Sequence, residues 1–327
     1  MKEILKLLNK KFGEGTIIKA SEAEESLKIK KIPTGILTLD FLLEGGFPKS
    51  SIITLYGEQS SGKSLISLIF SSQLTNKKEN VALIDTEGSY DPDWCKKLKI
   101  NLDYFFISQP DIYEKVIDIA DGLVRSKEFS LVIIDSITSG IPEEEVEKSA
   151  FEQQMALQAR LNAKLMRKIS SALQPSNLKD KSTYNNTTII LIAHIREQVG
   201  VLYGNPYTLP GGRAIRHSSS LILFTKSGNL IKKGDKIIGK EIKIKVEKSK
   251  ISIPHKTGVF DFYFNPPRVD NEKSLILYAI RLGIIKQTGA FYTYKNLKVK
   301  GKEELINSLN NQKELLKEMK KEILKLV

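Results

Sequence analysis

The chain of 327 residues carries 51 Lys and Arg against 38 Asp and Glu, a formal net charge of +13, and 41% of its residues are hydrophobic. That apolar content supports a large core and excludes wholesale disorder, while the basic excess directs attention to an acidic partner: nucleic acid, phosphates or an anionic lipid surface. Its one cysteine, Cys95, excludes an intramolecular disulfide framework and a Cys-rich metal module, and no apolar run approaches the roughly 20 residues that cross a bilayer, so a soluble intracellular protein is expected.

In chain order, Ile4, Leu7, Leu8 and Phe12 fall at spacings of three and four and predict a short amphipathic helix. The polar, charged run Ser21 to Lys31 reads as a linker. From Ile32 onward, short β-branched runs alternate with helical periodicity. Strands are expected at Ser51 to Tyr56, Val81 to Asp85, Phe105 to Ser108, Leu131 to Asp135 and Thr187 to Ala193, and helices at Lys63 to Leu74, Tyr113 to Ser126 and Phe151 to Leu173. Such alternation predicts an α/β fold with a mostly parallel sheet covered by helices on both faces. After residue 215 the texture changes to alternating strands, as in Ile242, Ile244 and Val246 between Lys243 and Lys245, which predicts an antiparallel addition. From Asp270 the chain reads as a small mixed module ending in a Lys/Glu-rich helix, Lys302 to Val327.

The run Gly57-Glu58-Gln59-Ser60-Ser61-Gly62-Lys63-Ser64 satisfies the P-loop pattern, follows an apolar strand and opens a helix at Leu65. Backbone N–H groups of such a loop face phosphate oxygens, Lys63 can reach the β- and γ-phosphates, and the Ser64 hydroxyl can bind Mg²⁺. Asp135 ends a second apolar strand at the edge where ligands of open α/β sheets collect, which makes it the expected Walker B acid orienting the Mg²⁺ shell. Glu87, just beyond the strand ending at Asp85, is placed either to polarise a water over the γ-phosphate or as a solvated loop carboxylate.

Together with these motifs, several segments occur in order that resemble the bacterial-type RecA recombinase family: Phe12 to Ile18, Pro33 to Asp40, Ile84 to Glu87, Ser108 to Asp111, Ile195-Arg196, Gly200 to Pro206, Gly211-Gly212, Val246 to Lys250 and Gly289 to Tyr294. The resemblance implies a RecA-like P-loop ATPase core over 32–269, an N-terminal oligomerisation segment over 1–31 and a small basic α+β C-terminal domain over 270–327. It implies ATP and Mg²⁺ as cofactors, and a head-to-tail filament of the protein on single-stranded DNA that pairs it with a homologous duplex, with no membrane partner. By position it makes Glu87 the catalytic glutamate, Asp91 and Trp94 the adenine contacts, and Lys248 and Lys250 a pair that reaches the γ-phosphate of the neighbouring subunit. DNA is expected on two segments, about 147–155 and 196–213. The implied contacts are Met155, Arg160 and Arg167 with the first, and Arg196, Val199, Gly211, Gly212 and Arg213 in the second.

The chain departs from the family pattern at identifiable places. His194 stands where a Gln usually senses the γ-phosphate, Phe264 where a Tyr is frequent near the nucleotide, and His217 where an aromatic sits at the subunit interface. Lys179 to Asn186 is an unusual insertion, and the acidic tail of many members is missing. The altered His194 raises an alternative, an ATP-switched DNA-coating filament with weak strand exchange. Charge is also uneven: residues 1–225 hold 28 basic and 27 acidic side chains, and the remainder 23 and 11. Lys295, Lys298, Lys300 and Lys302 are therefore expected as a gateway for incoming duplex.

Overall fold

The computed structural model describes residues 2–144, 155–197 and 207–324. Its centre is a nine-stranded sheet in the order Pro267–Val269, Thr257–Phe264, Lys236–Ser249, Leu221–Lys233, Ile52–Gly57, Thr188–His194, Leu131–Asp135, Val81–Asp85, Phe105–Ser108. The strands from Leu221–Lys233 to Phe105–Ser108 run parallel, and the other three extend the sheet antiparallel. This is the mostly parallel sheet with an antiparallel addition that the sequence predicts.

Alternation along the strands divides the core in two. Ile53, Leu55, Leu83, Ile133, Ile190 and Ile192 point into one hydrophobic layer, against the helices Leu37–Leu42 and Lys63–Thr75. Their neighbours Ile52, Tyr56, Ile84, Ile134, Ile189 and Leu191 point into the other, against Tyr113–Ser126 and Met155–Leu173. With both faces covered, each strand must be apolar at nearly every position, which explains the unbroken runs in the sequence. A third core, built on Leu275, Ile276, Tyr292, Tyr294, Leu305, Leu309, Met319 and Ile323, belongs to the C-terminal module. It is joined to the rest through Phe41, whose ring stacks on Tyr278 at a centroid distance of 4.2 Å.

Two segments differ from expectation. Overlapping the expected linker Ser21 to Lys31, Ala20–Leu27 forms a helix, although Ala, Ser and Glu dominate it and give almost no apolar period to read. The expected single helix from Lys302 to Val327 is two, Lys302–Asn310 and Lys313–Leu324, in the described residues. The break at Asn311-Gln312 lets Leu305 and Leu309 on one side, and Leu316, Met319 and Ile323 on the other, reach the same core. The N-terminal helix spans Lys2–Phe12, and its Ile4, Leu7 and Phe12 are exposed by 57, 63 and 63%. Just before the insertion, the Leu178 amide donates to the Gly15 carbonyl at 3.2 Å and ties the segment after the N-terminal helix to the core domain. Asn185, buried in the insertion, donates to the carbonyls of Val124 and Ala172.

Candidate nucleotide and DNA site

Parallel strands end together, so their C-terminal residues share one edge. Gly57 is paired with His194, and Asp85 with Asp135. Along that edge lies a cleft of 520 Å³ lined by Gln59, Ser60, Ser61, Gly62, Lys63, Ser64 and Leu65 of the loop, and by Glu87, Asp91, Trp94, Asp135 and His194. The loop glycines are required by space. A Cβ on Gly57 would lie 2.0 Å from the Thr225 carbonyl oxygen, and Gly62 has φ +95° with Ile242 Cδ1 2.7 Å from where its Cβ would stand.

Lys63, buried, donates to the carbonyls of Gly57 at 3.0 Å and Glu58 at 2.7 Å. Burial draws its ammonium below the usual lysine range, with Asp135, Glu87 and Glu58 acting against that shift. Ser64 Oγ donates to Asp135 Oδ2 at 2.5 Å. Burial pushes the Asp135 carboxyl up to about 6; the Ser64 hydrogen bond opposes this, and the charges of Glu87 and Asp85 add to it. One hydroxyl and one carboxylate form a donor set that fits Mg²⁺, which takes few protein ligands and completes its shell with phosphate and water. Among the described residues no group of three or more His, Cys, Asp or Glu side chains forms an all-protein metal cage.

Glu87 Oε1 lies 2.7 Å from His194 Nε2 and accepts from Ser139 Oγ at 2.8 Å. Burial alone would raise this carboxyl, but hydrogen bonds from Ser136, Ser139 and His194 outweigh it and hold the pKa below the usual value. Its loop is fixed by Asp85, which accepts from the Glu87 amide, the Tyr90 amide and Gln109 Nε2, each at 3.0 Å. Asp91 caps the helix Pro92–Lys97 by accepting from the Asp93 amide, and Trp94 packs edge-on to Phe262 at 6.2 Å. Phe264 lines the same cleft.

Lys248 lies elsewhere, beside a 490 Å³ cleft with Arg216, His217, Lys245 and His255; its ammonium donates to the carbonyls of Arg216 and His217. Lys250 is exposed near the end of the same strand. Neither is among the residues lining the P-loop cleft.

Of the two expected DNA segments, residues 145–154 and 198–206, including Val199, lie outside the described residues. Met155 begins the helix Met155–Leu173, on which Arg160 and Arg167 are exposed, and Arg196 lies in the short strand Arg196–Glu197. Gly211 and Gly212 precede the helix Arg213–Ser218, with Arg213 exposed. A Cβ on Gly212 would meet Ala159 Cβ at 3.6 Å, so the end of the second segment packs against the helix that follows the first, one residue before Arg160. Gln158 on the same helix donates to the Ile137 carbonyl at 2.9 Å, and Thr138 Oγ1 accepts from the His194 amide at 3.3 Å. These bonds join the helix to the strand end that carries Asp135 and to His194.

Lys240 is a cleft residue that the sequence reading missed. It is 180 residues from the loop that it touches, and its strand reads only as alternating apolar and basic positions.

This fold and loop define a P-loop ATPase. The family model of the RecA N-terminal domain matches residues 1–267, and that of the RecA C-terminal domain matches 273–327. The chain is similar to the RecA protein of Bacillus licheniformis, 37% identical over 317 residues that cover 97% of this chain and 86% of that one. It is equally similar to the RecA protein of Francisella tularensis subsp. novicida, 37% identical over 320 residues covering 97% and 84%. The chain belongs to the RecA family of recombinases, DNA-dependent ATPases that act in recombination and repair. Among the described residues, no helix is long and apolar enough to cross a membrane.

Proposed function

We propose that the chain binds ATP and Mg²⁺ in the P-loop cleft, assembles head to tail on single-stranded DNA in the cytoplasm, and exchanges a strand with a homologous duplex. The observation that carries this reading is the convergence of Lys63, Ser64, Asp135 and Glu87 on one cleft at the ends of parallel strands. Lys63 would leave the two carbonyls for the β/γ-phosphates. Ser64 and Asp135 would hold Mg²⁺, which neutralises charge on the transferred phosphoryl group. Glu87, a carboxylate at neutral pH, would orient the attacking water. Asp91 and Trp94 would bound the adenine. Lys248 and Lys250, standing away from their own subunit's cleft, would complete the site of a neighbour, making assembly a condition for hydrolysis. The exposed Ile4, Leu7 and Phe12 suit the docking of the N-terminal helix on that second copy.

DNA would bind over Met155, Arg160 and Arg167 and along Arg196, Val199, Gly211, Gly212 and Arg213. His194 would sense the γ-phosphate through Glu87, and the bonds through Thr138, Ile137 and Gln158 offer a route to the DNA side. The test is strand exchange between circular single strands and a linear duplex, homologous or not, with ATP. Exchange confined to the homologous duplex is expected. DNA-stimulated hydrolysis without exchange would instead favour the DNA-coating filament.

A further inference from the structure

The antiparallel half of the sheet delivers a second lysine to the P-loop. In the strand Lys236–Ser249, Ile242 is buried against Gly62, and Lys240, two residues earlier on the same face, extends over the loop to donate to the Ser60 carbonyl. Lys240 and Lys63 line the same cleft, and each rests its ammonium on loop carbonyl oxygens. The acidic groups nearby are committed elsewhere. Glu58 pairs with Lys226 at 3.4 Å, Glu87 with His194, and Asp135 accepts from Ser64. Asp91 caps its helix. Burial draws the Lys240 ammonium below the usual lysine range, with no opposing contribution from a carboxylate. A half-buried cation with no ion pair among the described residues, sharing a cleft with a phosphate-binding loop, is poorly compensated until an anion arrives.

We infer that Lys240 is a nucleotide-binding residue that exchanges the Ser60 carbonyl for a phosphate oxygen of the bound nucleotide. This rests on the reading of the cleft as a nucleotide site. The contact is made by the subunit that owns the loop, in contrast to the pair Lys248 and Lys250. Its strand also carries Gly239 against Tyr263 and Lys240 against Phe262, so Lys240 stands between the loop and the aromatic wall of Trp94, Phe262 and Phe264. That position suits the part of the polyphosphate nearest the nucleoside. A charge-assisted bond of this kind, partly exposed, is worth about tenfold in affinity.

The test compares the full-length native chain with Lys240→Met, Lys240→Arg and Lys63→Ala, without DNA, by equilibrium binding of ADP, ATP and adenosine and by thermal melting. The inference expects Lys240→Met to bind ADP and ATP about tenfold more weakly, with adenosine affinity and the melting temperature of the nucleotide-free protein unchanged. Lys240→Arg should recover most of the loss, and the gap between native and Met should narrow at high salt. Native ADP affinity in Lys240→Met would overturn the inference, as would an equal loss for adenosine, which would mark a packing role at the base. A drop in the nucleotide-free melting temperature that Arg does not repair would assign Lys240 to holding the loop instead. Lys63→Ala separates the levels: if it loses ADP while Lys240→Met does not, the cleft stands and this inference fails. If neither loses ADP, the nucleotide reading itself fails.

Discussion

Asp135 combines burial with two neighbouring carboxylates, and its carboxyl is accordingly raised from an ordinary 3.8 to about 6. Between those values the folded chain holds a proton that the unfolded chain has released. Stability from this group therefore falls as pH rises through that window, and the cost is complete above about pH 6. Asp135→Asn should stabilise the nucleotide-free protein at pH 8 by about 1–3 kcal/mol and change little at pH 4. Urea unfolding at the two values checks this, and Mg²⁺-dependent ATP binding should be lost in the same variant. Glu87 has the opposite sign. Its lowered pKa contributes stability that is present above the ordinary carboxylate value and disappears as pH falls through the folded value. Glu87→Gln should thus cost more stability at pH 7 than at pH 3. At this scale the P-loop residues were legible because their motif is contiguous and its context is local. Lys240 was not, because its partner Ser60 is brought to it only by the sheet, and His194 was legible as a departure while its 2.7 Å contact with Glu87 was not.

At the scale of elements, the helix Met155–Leu173 illustrates how a basic stripe divides. Arg160, Lys164, Arg167 and Lys168 share a face by spacing, yet Lys168 is engaged by Asp118 at 2.7 Å and Asp121 at 3.6 Å, across on Tyr113–Ser126. Arg167→Ala should weaken single-stranded DNA binding at every sequence and reduce its salt slope by about one, whereas Lys168→Ala should leave that slope unchanged. Fluorescence anisotropy across a salt series measures both. The C-terminal lysines divide similarly. Lys295 is bound to Glu318 and Lys298 sits 5.5 Å over the Phe291 ring, leaving Lys300 and Lys302 as the freer part of the expected duplex gateway. Central strands were readable almost to the residue, since burial on both faces leaves an unmistakable apolar run. Ala20–Leu27 was not, because a short helix whose sequence lacks an apolar stripe differs little in pattern from a linker. The break near Asn311 was hidden because Leu305, Leu309, Leu316 and Ile323 keep a helix-like spacing across it.

At the scale of the whole molecule, the +13 charge is concentrated beyond residue 225 in the sequence; the fold brings Lys240 and Lys226 from that part to the P-loop, while Lys248 and the C-terminal lysines do not line its cleft, so net charge alone points poorly to it. Lys248 and Lys250 belong to that excess, and the proposed contact with a neighbour's nucleotide would account for their absence from the lining of their own cleft. A mixing experiment follows. Glu87→Gln and the double variant Lys248→Ala/Lys250→Ala should each be nearly inactive, but combined one to one they should recover hydrolysis at about a quarter of their interfaces, as random head-to-tail assembly dictates. No recovery would remove the shared-site assignment. The most direct measurement of the central claim is steady-state ATP hydrolysis by the full chain, with and without single-stranded DNA, in native, Lys63→Ala and Glu87→Gln forms. The account predicts at least tenfold stimulation of the native protein by DNA. It predicts no turnover in Lys63→Ala, and a loss of about a hundredfold or more in Glu87→Gln with ATP and DNA binding retained. Native hydrolysis indifferent to DNA, or undiminished in Glu87→Gln, would contradict it.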